Sequence, residues 1–195
     1  MKNYSQARQD LFVIKMLDNK QNGIYIEVGG HEPVHINNTY LLEEEFNWTG
    51  FSIEWDSNLC NMYNSVRRNI CYNQDALKFD FVTEIPKILN GGNQIDYLSL
   101  DIEPSRQTFD CLKRIPHESV RFSVITFEHD SYREGNAVRD ECRKFLFDLG
   151  YQLVVADVKN EGNPYEDWWI DPRVISEDTW RPFFRSNIEH SQLGL

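Results

Sequence analysis

Positive charge is what this sequence has least of. Lys and Arg number 20 against 31 Asp and Glu, a net charge of −11 over 195 residues. No Lys or Arg occurs between Lys20 and Arg67. A surface of that sign repels a phosphate backbone and an anionic membrane face, so neither nucleic acid nor membrane is an expected partner. Long apolar runs are also missing. Nothing approaches the roughly 20 residues of a spanning helix, and the opening MKNYSQARQD has no signal-peptide core. The four cysteines, Cys60, Cys71, Cys111 and Cys142, stand singly, with no CxxC pair and no zinc-like Cys/His spacing. They are expected to stay reduced and to pack as small apolar side chains, which places the chain in the cytoplasm. Repeats, low-complexity stretches and linkers are absent as well, so residues 1–195 read as one domain. Residues 1–20 form a helical element of it, and 163–195 an irregular, aromatic-rich segment.

What is present is an alternation of short apolar runs with longer amphipathic ones. The strands expected are 24–28, 50–54, 70–73, 95–102, 122–127 and 153–156, with another near Trp169. Helices are expected over 6–17, from the Asn37-Asn38-Thr39 capping run to Phe46, and over 58–67, 83–89, 105–114 and 138–149. A short helix belongs in the tail, and Asn90-Gly91-Gly92-Asn93 closes the fourth of the main helices. Strands alternating with helices imply an α/β, doubly wound, Rossmann-like domain with a mostly parallel sheet.

In such a sheet, ligands bind beyond the carboxyl ends of the strands. Those ends carry Glu27, Gly29 and Gly30; Glu54, Trp55 and Asp56; Asp75; Asp101 and Glu103; and Glu128, His129 and Asp130. Nearly every strand ends in a carboxylate. A glycine turn followed by an acidic residue after the second strand imitates a nucleotide-binding pattern, in which the acid takes the ribose hydroxyls. A pyrophosphate, however, needs further glycines and tolerates no clustered negative charge. The turn here reads Gly29-Gly30-His31-Glu32-Pro33 with Glu27 before it. Such a turn suits a nucleoside that carries positive charge, namely S-adenosylmethionine.

Five segments, in order, resemble the FkbM-type family of S-adenosylmethionine-dependent methyltransferases. They are Ser5-Gln6 with Gln9-Asp10, IYIEVGGHEPVHINNTYLLE, GFSIEWD, NQDAL and DYLSLDIE. The resemblance implies a class I methyltransferase-like fold and S-adenosylmethionine as cofactor. Glu27, Gly29 and Gly30 would line its methionine and ribose, with Asn38 and Thr39 facing it from a helix start. Glu54 would take the ribose, Trp55 would pack on adenine, and Asp75, with Ala76 beside it, would accept from the adenine amino group. Asp101 and Glu103 would sit near the methyl group and the acceptor. Pro33 and Pro104 stand where this family type usually has glycine, and Arg106 where it has an acidic residue. Arg106 is expected to pair with Glu103 or to face an acidic acceptor.

The function implied is O-methylation of a small sugar-like or glycan acceptor. A hydroxyl is a poor nucleophile and benefits from a base; His129 is the expected one, with Asp101 or Glu103 as orienter or alternative. Oxygen groupings at Asp101/Glu103 and Glu128/Asp130 suit a magnesium-like ion, but a solvated acidic rim is the simpler reading, and no metal is expected. His31 and His35 flank the first loop. Trp168, Trp169 and Trp180 form either an aromatic wall for a sugar ring or part of the core, and Glu43-Glu44-Glu45 a solvated helix face. The alternatives are a non-catalytic binding or assembly protein of the same fold, and an NAD-type oxidoreductase.

Overall fold

The computed structural model describes residues 2–89 and 91–195; Asn90, expected to help end a helix, lies outside them. The first helix, α1 (Gln9–Met16), leads into β1 (Ile24–Val28), α2 (Tyr40–Phe46), β2 (Thr49–Glu54), α3 (Ser57–Val66) and β3 (Ile70–Asn73). Then follow α4 (Phe81–Ile88), β4 (Gln94–Leu100), α5 (Ser105–Arg114), β5 (Arg121–Glu128), a short α6 (Ser131–Glu134) and α7 (Ala137–Asp148). A hairpin of β6 (Gln152–Asn160) and β7 (Asn163–Ile170), α8 (Glu177–Trp180) and β8 (Arg185–Ser186) complete the chain.

The strands form one eight-stranded sheet in the order β3-β2-β1-β4-β5-β7-β6-β8. β1 to β5 pair in parallel, and β7 runs antiparallel between β5 and β6. The period of two along each strand sends alternate side chains to opposite faces. Ile26, Val28, Leu98, Leu100, Ile125 and Phe127 pack with Ile85 of α4, Leu112 of α5 and Leu146 of α7. Tyr25, Tyr97 and Val124 pack on the other face, against Phe12 and Val13 of α1 and Leu41 and Leu42 of α2. The expected α/β architecture with helices on both faces is therefore present.

The segment 163–195 holds the expected strand near Trp169 and short helix, but it is more regular than expected. β7 lies inside the sheet, so its two tryptophans are core residues: Trp168 joins one face and Trp169 the other, both fully buried. The four cysteines are free and buried, as expected. No helix among the described residues is long and apolar enough to cross a membrane.

Local chemistry explains the ends of the elements. Asp56 caps α3, its Oδ1 accepting from Asn58 N at 2.7 Å and Leu59 N at 3.1 Å. Asn37 does the same before α2, accepting from Thr39 N at 3.0 Å and Tyr40 N at 2.8 Å. Ser5 and Asp10 lock the N-terminal turn through a 2.7 Å hydrogen bond. The adjacent Gln9 reaches Tyr165 and Glu166 on β7.

Candidate active site

Gly29 closes β1 with φ of +89°, and a Cβ there would come within 1.7 Å of the Asp101 carbonyl oxygen. Only glycine fits that approach between the ends of β1 and β4. The other positive φ values in this turn fall at His31 (43°) and Ile36 (53°). Pro33 therefore occupies a position that asks for no left-handed backbone. Its carbonyl accepts from Arg67 Nη1 at 3.0 Å.

Beyond the carboxyl ends of β1, β2, β4 and β5 lies a cleft of about 960 Å³. Among the described residues no Lys or Arg lines it. Glu27, Gly29, Asn38, Glu54, Trp55, Asp75, Ala76, Asp101 and Glu103 all do, so nine of the expected site residues are gathered in one place. Gly30, Thr39 and His129 do not line it.

At one end, Glu54 accepts the His31 amide at 2.8 Å on Oε2 and the Asp56 amide at 2.7 Å on Oε1. Each oxygen keeps a lone pair for a hydroxyl donor. Trp55 beside it is 75% exposed, an uncommon state for a large ring and one suited to a flat partner. Asp75 accepts the Leu77 amide at 2.9 Å and pairs with Lys78 at 3.0 Å. The Lys78 and Leu77 hydrogen bonds hold its carboxyl below the usual range.

In the middle, Glu27 is buried under the turn. Its Oε2 accepts from Ser52 Oγ at 2.7 Å, Thr39 Oγ1 at 3.1 Å and Asn37 Nδ2 at 3.4 Å. Burial raises its pKa, against the pull of Arg67. Thr39 thus holds Glu27 from behind instead of facing the cleft, and Gly30 is engaged through its carbonyl by Asn37. Behind this layer sits Arg67, which pairs with Glu43 at 2.8 Å with both side chains fully buried. It also donates to Asn37, Thr39 and Tyr25. Glu43 is therefore no part of a solvated face: it is the counter-ion of a buried guanidinium that braces the first loop.

At the far end, the register Leu100↔Phe127 sets Asp101 and Glu128 side by side on neighbouring strands. Both carboxyl groups line the cleft, and two carboxyls so placed do not both ionise readily. Burial raises both, with the neighbouring Asp130 charge adding. Oxygens of Glu103, Glu128 and Asp130 lie within 4.8 Å of one another. Arg133 neutralises this rim, at 2.6 Å from Asp130 and 2.9 Å from Glu103. Arg106 takes neither expected role: it binds Glu141 through two 2.8 Å bonds.

His129 is also misplaced by the sequence reading. Strand alternation turns it away from the cleft, and it is fully buried. Its Nδ1 accepts the Ser131 amide at 3.1 Å, and its Nε2 lies 3.5 Å from Asp167 and 3.9 Å from Asp157. Arg143 and Arg139 pair with those two carboxylates. The ring cannot reach a substrate in the cleft. Of the two readings of the tryptophans, the core one holds for Trp168 and Trp169, and Trp180 does not line the cleft.

Sequence reasoning gave no site role to Gln6, Asn160, Asn163 and Tyr165, which also line the cleft. Glu128 and Asp130 were expected at a strand tip as part of a solvated acidic rim, with no catalytic or cofactor-binding role. His31 lines the cleft, whereas His35 does not.

No family model matches the sequence, and a search of curated proteins finds no match. Solved structures do match. An rRNA methylase from Streptococcus thermophilus superposes with a TM-score of 0.55 at 7% identity, over 88% of this chain and 98% of that one. The S-adenosyl-homocysteine complex of TrmK from M. capricolum gives 0.55 at 12%, over 86% and 68%. A SAM-dependent O-methyltransferase from Thermotoga maritima gives 0.57 at 12%, over 88% and 67%. At such identities the likeness establishes the fold, that of the class I methyltransferases. None of the three singles out the FkbM-type family.

Proposed function

We propose that this chain is an S-adenosylmethionine-dependent O-methyltransferase of FkbM type, acting on a hydroxyl of a small sugar-like or glycan acceptor. The observation that carries the reading is a cleft at the carboxyl ends of the parallel strands, lined by carboxylates and by no Lys or Arg among the described residues. Such a cleft favours a cationic nucleoside and disfavours a diphosphate. The fold neighbours named as methyltransferases, one of them solved with S-adenosyl-homocysteine, support the choice of cofactor.

The residues present suit that group. Glu54 has acceptor capacity left for two ribose hydroxyls, and Trp55 offers an open face for adenine. Asp75 and Ala76 border the same end. Glu27, Gly29 and Asn38 would hold the methionine part, with Gly30, Thr39 and Arg67 fixing their positions from behind. When bound, S-adenosylmethionine supplies an electrophilic methyl group on a sulfonium. The chain's contribution is to align the acceptor, exclude water and take the hydroxyl proton. Asp101 is the base, and Glu103 borders the acceptor space. Gln6, Asn160, Asn163 and Tyr165 offer the neutral hydrogen-bonding groups that a polyhydroxylated acceptor needs.

An RNA acceptor is disfavoured, although one fold neighbour is named as an rRNA methylase, because the net charge is −11 and the cleft is anionic. The same charge argues against a membrane partner. A cytoplasmic location is supported by four free, buried thiols. Thermal denaturation with S-adenosyl-homocysteine tests the reading. Saturating ligand raises Tm by mass action, by roughly 2.7 kcal/mol of stability at 100 times Kd. Glu54→Ala weakens binding by about 10- to 100-fold, the usual worth of hydrogen bonds to a charged group. No Tm shift in the wild type removes the proposal. Transfer of labelled methyl to neutral glycosides then tests the acceptor class.

A further inference from the structure

Asp101 and Glu128, both half-buried, differ from the buried carboxylates around the cleft. Glu27 has four hydroxyl and amide donors, and Glu43 has Arg67. Asp130 has Arg133. Glu166 accepts from Gln9 and Trp168. Asp101 and Glu128, among the described residues, have side-chain partners only in each other. They sit on adjacent strand ends, and both line the cleft.

We propose that this pair holds a single proton in the empty cleft, releases it when an adenosyl sulfonium enters, and takes up the proton that the acceptor hydroxyl loses on methylation. The inference rests on the reading of the cleft as an S-adenosylmethionine site.

The charges around the pair make a proton exchangeable there. Glu103 and Asp130 face it from the β4 and β5 tips, with Arg133 between them on the solvent side. His31 faces it from the first loop, and Glu166 and Tyr165 approach from β7. Two carboxyls in contact do not both ionise readily, so with no ligand the pair carries one negative charge. An added positive charge within about 4–6 Å lowers a carboxyl pKa by roughly 1–3 units, enough to expel the shared proton near neutral pH. The pair is then a dianion beside the acceptor. In the transfer, the acceptor oxygen forms its bond to the methyl carbon. The carbon–sulfur bond breaks with its electron pair on sulfur, and the hydroxyl proton goes to the carboxylates. The sulfur is now a neutral thioether, so the charge that had driven the proton off is gone.

Isothermal titration calorimetry of the full chain at pH 7 with S-adenosylmethionine and S-adenosyl-homocysteine, each in phosphate and in imidazole buffer, counts the protons. Both ligands carry the same amino-acid group, so their difference isolates the sulfonium. The expected result is about one more proton released by S-adenosylmethionine than by S-adenosyl-homocysteine. In Glu128→Gln and in Asp101→Asn that difference disappears while S-adenosyl-homocysteine still binds. Equal proton counts for the two ligands in the wild type overturn the pair and leave the cofactor reading standing. So does a difference that persists in either variant. Binding of neither ligand overturns the cofactor reading itself.

Discussion

Glu128 and His129 are neighbours in the chain and face opposite surroundings. Glu128 points into the cleft beside another carboxylate, with no cation in contact. His129 points behind β5 into a compact cluster where Asp157 and Asp167 are balanced by Arg139 and Arg143. Both places are rich in carboxylates. On the back side every negative charge has its guanidinium, and the result is a rigid anchor joining β5, α7 and the β6–β7 hairpin. On the front side Arg133 pairs with Asp130 and Glu103, but among the described residues no cation pairs with Asp101 or Glu128. The cationic cofactor proposed above would balance this excess of carboxylates at the strand tips.

The comparison breaks most visibly at the back. Arg143→Met leaves Asp167 and Asp157 short of a counter-charge in a buried setting. Such a loss costs about 3–5 kcal/mol and lowers Tm by on the order of 10 °C in calorimetry. Glu128→Gln at the front puts an amide donor in place of the shared proton and leaves Tm unchanged or higher. Equal destabilisation by the two substitutions would show that the sides do not differ in kind.

A smaller effect separates them by pH. Burial pushes Asp167 upward, but Arg143 and His129 outweigh it and hold the carboxyl down to about 2. Its contribution to stability is therefore full above about pH 4 and is lost as pH falls toward 2. Glu166 on β7 behaves in the opposite sense. Burial, with the Asp101 charge adding, raises it to about 8. Its protonated form belongs to the folded state, so its contribution is full below about pH 4 and is lost as pH rises through 8. Glu166→Gln keeps an acceptor oxygen for Gln9 and Trp168 and removes that loss, raising Tm at pH 8 by about 5 °C with little change at pH 4. Melting curves across pH 4–8 that fall equally in both proteins would contradict it.

Much of this was legible in the sequence because strand tips announce themselves: an apolar run ends and a carboxylate or glycine follows. That is why Glu27, Gly29, Glu54, Asp75 and Asp101 assemble as expected. Side-chain direction was less legible. Glu128 and His129 cannot both face the cleft on a strand of period two, and that parity was the available signal against His129 as a base. Burial of charge was not legible at all. Glu43 sits in a run of three glutamates, and its partner Arg67 lies 24 residues away, meeting it only once α3 packs on the sheet. For Trp168 and Trp169 a core role and a strand near Trp169 were legible, but the place of that strand between β5 and β6 was not. No local pattern encodes that insertion.

The account turns on the sign of the charge the cleft accepts, and competition binding tests it most directly. Radiolabelled S-adenosylmethionine held by the protein should be displaced by S-adenosyl-homocysteine and not by NAD at the same concentration. Displacement by NAD, with S-adenosyl-homocysteine without effect, would contradict it.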